Sequence, residues 1–179
     1  MIKKIMLIVL VLEAALMAHA GVGSVSGLQA GLTHPLHGSD HIVTMLAVGF
    51  WAAQMGGRAL WAVPVSFMSM MSVGAMIGLQ GMHVPYVEEA ITVSVLLLGV
   101  FIVMKLNVSV ALSTVTVALF ALFHGFAHVS EMPLNIGSLG YATGFTVTTG
   151  ILHLLGIMAA VGMQKISMYR QMHGTVMEN

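Results

Sequence analysis

Five apolar stretches, each about long enough to cross a bilayer, fill most of the chain beyond residue 34. They run approximately from Pro35 to Met55, Leu60 to Met82, Tyr86 to Met104, Val108 to His128 and Ile136 to Met163. A helical span needs roughly 20 mostly apolar residues. Inside lipid a helix satisfies its own backbone polar groups. The alternative, a soluble domain, has no means of hiding such a surface: 58% of the 179 residues are hydrophobic and 7% are charged, against about a quarter charged in an ordinary globular domain. The expected fold is therefore all-α, a polytopic transmembrane bundle of five spans. The short connections predict antiparallel neighbours.

The N-terminus reads as an export signal. Lys3 and Lys4 precede a compact apolar run, Ile5 to Leu12, and Ala18-His19-Ala20 has a small-x-small cleavage pattern. Residues 1–20 are thus expected to be a signal peptide and residues 21–179 the transmembrane domain. Glu13 shortens the apolar core of the signal, and a retained signal would add a sixth span. In both cases Gly21 lies outside the cytoplasm. Residues Gly21 to Thr33, mildly apolar and glycine-rich, are too short to span and suit a half-helix or an outer flap.

Counting spans from an external Gly21 puts Arg58, Lys105, Lys165 and Arg170 on the inner side. It puts Asp40, Glu88, Glu89 and Glu131 on the outer side, with Glu178 alone among the later acids inside. Basic residues on the cytoplasmic side are what the positive-inside rule requires. The sequence therefore predicts a bacterial inner-membrane protein with a periplasmic mature N-terminus and a cytoplasmic C-terminus. Gly74 with Gly78, and Gly140 with Gly144, form small-residue faces that let helices approach closely. Plain helix packing within the bundle is the expected use of these faces; a homo-oligomer is a separate expectation.

Two clusters carry chemistry. The first is His34-Pro35-Leu36-His37-Gly38-Ser39-Asp40-His41. Pro35 favours a helix start, and from there His37, Asp40 and His41 would share one helical face. The second is His124-Gly125-Phe126-Ala127-His128, followed by Glu131, with His124, His128 and Glu131 again on one face. The span count brings both to the outer side at similar depth. Imidazole and carboxylate without thiolate suit Ni²⁺, Co²⁺, Zn²⁺ or Fe²⁺, and ligand type does not rank these four. Ionisable groups within a membrane are costly and mark function by default. Ligand imidazoles bind metal only when neutral, so metal uptake is expected to fall as the pH drops through the ordinary imidazole range, near about 6.5.

Other residues carry weaker signals. Glu88 and Glu89 either attract cations at the mouth or mark the interface. His83 reads as a loop residue and His173 as a solvated tail residue. His153, deep in the fifth span, is either a relay towards the inside or a packed, hydrogen-bonded histidine. Met68, Met70 and Met71 read as core or lipid-facing filler in preference to a Cu(I) site. Trp51 and Trp61 flank the inner turn, where an interfacial aromatic belt is expected. There are no cysteines and the net charge is zero, so neither a thiolate metal site nor a nucleic-acid footprint is present.

The segments HPLHGSDHIVTMLAVGFWAAQMGGRALW and FHGFAHVSEMP closely resemble the HupE/UreJ family of bacterial nickel permeases. The likeness extends over nearly all of the mature chain and is most specific where the two elements occur together. It implies metal-related roles for His34, Asp40 and His41, and for His124, His128 and Glu131. It also places Glu88 and Phe67 where members tend to carry functional residues. Members often have a histidine where Phe126 stands and a glycine where Val129 stands, and His37 is an additional histidine. These departures bear on which metal is preferred.

The expectation is a passive permease, not an enzyme, that admits Ni²⁺ as transported ligand and holds no fixed cofactor. Its candidate metal residues are His34, His37, Asp40, His41, Glu88, His124, His128 and Glu131. The resemblance links nickel uptake indirectly to maturation of hydrogenase or urease; a Co²⁺ permease of the same architecture stays open. Two rivals from other classes are a membrane b-type haem protein using His41 and His128, and a hydrolase using Ser39, Asp40 and His41. Adjacent residues on one helix do not give the aligned geometry of a triad.

Overall fold

A computed structural model of the chain describes residues 25–130, 132 and 136–177. The expected signal peptide and the site residue Glu131 lie outside the described residues. The described chain is helical and contains no strand. Its elements are α1 (Val25–Thr33), a short 3-10 turn (His34–Leu36), α2 (Ser39–Met55), α3 (Ala59–Leu79), α4 (Val87–Val103), α5 (Val110–Ser130) and α6 (Ser138–Met177). Three helices, α3, α5 and α6, are long and apolar enough to cross a membrane. Helices α2 and α4 have 17 residues each, or about 26 Å at 1.5 Å per residue.

Helix direction follows from which residues meet. A Cβ at Gly49 would collide with the His153 carbonyl, and the His41 ring lies 5.0 Å from that of Phe145. Helices α2 and α6 therefore run parallel in steady register. Ser66 Oγ donates to the Thr114 carbonyl at 3.0 Å, while Gly74 abuts the Leu122 backbone and Gly78 the Val129 side chain, so α3 and α5 are also parallel. The Trp51 indole donates to the Leu106 carbonyl at 3.3 Å, and the Gln54 amide to that of Ile102 at the same distance. These bonds join the C-terminal ends of α2 and α4. The helices α2, α4 and α6 thus point one way and α3 and α5 the other. The α2–α3 turn is tight because Gly56 and Gly57 both take positive φ, 69° and 52°, where a side chain would be strained.

The glycine pairs do what small-residue faces predict. Gly74 and Gly78 seat α3 on α5, whereas Gly140 and Gly144 receive α1. Helix α1 descends beside the start of α6, with Gly31 against the Tyr141 carbonyl and the Thr148 hydroxyl donating to the Leu32 carbonyl at 2.8 Å. The chain then turns at residues 34–38, and α2 begins level with Phe145. That level is seven residues inside the start of α6, or roughly 10 Å. Of the two expectations for residues 21–33, the half-helix describes α1.

Two local expectations need correction. Pro35 does not open the long helix: it lies in the 3-10 turn, and α2 starts at Ser39 after Gly38 in extended conformation (φ −98°, ψ 117°). Trp51 does not face an interface. It is buried in the core with Met45, Val48, Phe67, Leu98 and Val117, and the carbonyl of Leu106 satisfies its N–H as burial requires.

Candidate metal site

Three elements bring four imidazoles together: His34 from the 3-10 turn, His41 from the first turn of α2, and His124 and His128 from the last two turns of α5. His34 Nε2 and His128 Nδ1 share a hydrogen bond at 3.2 Å, and His128 Nε2 and His41 Nδ1 share another at 2.7 Å. The His41 and His124 ring centroids are 6.1 Å apart. His124 and His128, one helical turn apart, present one face of α5 to the turn that α1 drives into the bundle. The Phe145 ring closes the other side, 4.5 Å from His128 and 6.0 Å from His34.

One tautomer is fixed by chemistry. His124 Nδ1 lies 3.0 Å from the Phe120 carbonyl, and a carbonyl only accepts, so Nδ1 carries the proton and Nε2 carries the lone pair. This is the usual arrangement of a metal-ligating histidine, whose second nitrogen is held by a backbone carbonyl. His124 Nε2 and His41 Nε2 are both buried and have no hydrogen-bond partner. Each is an imidazole nitrogen removed from water, and leaving such a group without a partner costs roughly 1–3 kcal/mol. Among the described residues, no three histidine or acidic side chains converge closely enough to cage an ion. His34, His128 and His41 are instead linked to one another.

The remaining candidates divide. Asp40 stands in the first turn of α2, exposed and next to the cluster in sequence. Its carboxylate folds back towards Gly38, where a Cβ would stand 3.0 Å from Oδ1. His37 does not share a helical face with Asp40 and His41: it lies in the turn before α2, exposed. Glu88 is exposed in the first turn of α4. His83 is exposed in the loop before α4, as expected. His173 is exposed as expected, but it is helical and stacks on Tyr169 at 4.0 Å.

Phe67 and His153 extend the site inward. The Phe67 ring lies 5.6 Å from His124 and 5.5 Å from His153. His153 is packed, as expected, but neither of its ring nitrogens has a hydrogen-bond partner. Phe145 escaped the sequence reading. Its signal is the run Tyr141, Phe145, Thr149 and His153, four residues apart on α6 and buried throughout, which a search for clustered histidines passes over. The haem rival meets a direct obstacle, because His41 and His128 bond to each other and leave no gap for a porphyrin.

Residues 7–179 match the family model described as HupE / UreJ protein. The chain belongs to the HupE/UreJ family. Among its relatives is Protein HupE of Rhizobium leguminosarum bv. viciae, 43% identical over 141 residues that cover 78% of this chain and 74% of the relative. No solved structure matches the chain. HupE/UreJ is a metal-transporter family, not an enzyme family, and membership points to a role in nickel/cobalt transport across a membrane.

Proposed function

We propose that this HupE/UreJ member is a passive permease that admits Ni²⁺ through the bacterial inner membrane. Five helices, α2 to α6, span the bilayer, with the histidine cluster on the periplasmic side and the end of α6 in the cytoplasm. The observation that carries this reading is the paired geometry of His41 and His124. Two buried imidazoles on different helices each leave Nε2 unengaged, and His124 is fixed in the tautomer a metal needs.

A hydrated cation meets Asp40 first, at the exposed start of α2. It then exchanges part of its water for imidazole, and Glu131, the carboxylate that follows α5 in sequence, is a further candidate ligand. Recruiting His128 as well requires breaking its bond to His41, so binding is moderated, and conduction needs release as much as capture. The driving force is the membrane potential: about 2.3 kcal/mol per charge per 100 mV, and twice that for a divalent ion. The chain contains no P-loop. Nickel delivered this way serves hydrogenase or urease.

Radiolabelled Ni²⁺ uptake in nickel-transport-deficient cells tests the proposal. Wild type restores uptake, Asp40→Ala and His128→Ala lose it at equal membrane abundance, and excess Co²⁺ competes better than Zn²⁺. Wild-type cells that take up no nickel would refute the reading. Stronger competition by Co²⁺ than by unlabelled Ni²⁺ would move the assignment to cobalt.

A further inference from the structure

Among the described residues, six buried side-chain nitrogen or oxygen atoms lack a hydrogen-bond partner. They are not scattered. They belong to His41 and His124 at one level, Thr149 and His153 below, and Gln54 near the far end of α2. His41 and Gln54 are 13 residues apart on α2, or about 20 Å along its axis. His153 lies level with Gly49, about 12 Å beyond His41. Buried polar atoms are nearly always paired, so the unpaired ones of His41, His124, Thr149 and His153, at two levels of the bundle, mark where something from outside the chain is meant to bind. Gln54 stands apart, on the face of α2 that meets α4.

We propose that His153 and Thr149 form a second, inner station for a divalent cation, separated from the outer histidine cluster by the Phe67 ring. The inference rests on the permease reading above. His153 is 1% exposed and Thr149 fully buried, and they stand one turn apart on the same face of α6. Among the described residues no group satisfies either nitrogen of His153, so in the neutral ring one nitrogen can ligate the ion while the other carries the proton. The Thr149 hydroxyl is a neutral oxygen donor one turn above. Phe67 touches the imidazoles of both levels, and its ring face attracts a passing cation. A single imidazole and a hydroxyl hold an ion weakly, which suits a station that must release it.

His153→Leu tests this without the usual ambiguity about folding. The imidazole makes no hydrogen bond that the leucine would break, so the variant should melt at or above the wild-type temperature. Two readouts run together: Ni²⁺ uptake in cells, and equilibrium dialysis of purified protein in lipid nanodiscs against Ni²⁺ alone. The expected result is uptake reduced about tenfold or more, with His41→Ala still binding nickel and the His41→Ala/His153→Leu double variant losing that residual metal. Uptake at the wild-type rate, or unchanged nickel binding, in His153→Leu overturns the station. If wild type moves no nickel, the permease reading fails, and the dialysis alone decides whether His153 holds metal. His153→Gln serves as the second variant should His153→Leu be poorly inserted.

Discussion

At the scale of residues, the structure separates histidines that the sequence grouped together. His37 and His41 lie four positions apart and were expected on one helical face, yet His37 is exposed before α2 and His41 is 1% exposed inside the bundle. The expected contrast in nickel uptake is large. His37→Ala stays within about twofold of wild type, while His41→Ala loses about tenfold or more, a change of roughly 1.4 kcal/mol. A His37 variant as defective as His41→Ala would contradict the placement. The motifs made His34, His41, His124 and His128 legible because clustered imidazoles in an apolar chain have few other uses. Phe145 and the unpaired state of His153 were not legible. Both depend on how α6 is rotated against α2, which no spacing within one helix reveals.

At the scale of elements, backbone contact at glycine governs the packing. Gly49 lets α2 lie directly on α6, and Gly74 lets α3 lie on α5, with no room for a methyl group at either. Gly99 on α4 faces open space. Gly49→Ala and Gly74→Ala should each destabilise the protein by about 1–3 kcal/mol through overpacking. Gly99→Ala should be neutral or stabilising, since alanine is the better helix former by up to about 1 kcal/mol. Thermal unfolding in detergent ranks the three, and equal melting points would disprove the close approaches. Hydropathy located these helices because a span is a property of length and composition, but α6 runs on to Met177, beyond the expected end near Met163. The break at Gly38 was harder to read: Pro35 suits a helix start, but the 3-10 turn and α1 pinned against α6 move that start to Ser39.

At the scale of the whole molecule, alternating helix direction was readable from short connections, and the contacts along α2, α3, α5 and α6 bear it out. The insertion of α1 was not readable beyond its length, because its depth is set by Gly27, Gly31, Gly140 and Gly144 meeting across two helices. This half-helix places the His34 turn roughly 10 Å inside the bundle, so the cluster sits within the protein instead of at its rim. The proposed orientation has a direct check, because the chain has no cysteine of its own. A membrane-impermeant thiol reagent added to spheroplasts should label His83→Cys and spare Met172→Cys until the membrane is opened; the reverse pattern would invert the topology. Passive conduction by this one chain is the central claim, and purified protein in liposomes tests it most directly. With an inside-negative potassium diffusion potential, a trapped metal-sensitive dye should report Ni²⁺ influx that grows with the potential and needs no nucleotide. Influx equal to that of protein-free liposomes at every potential would contradict the account.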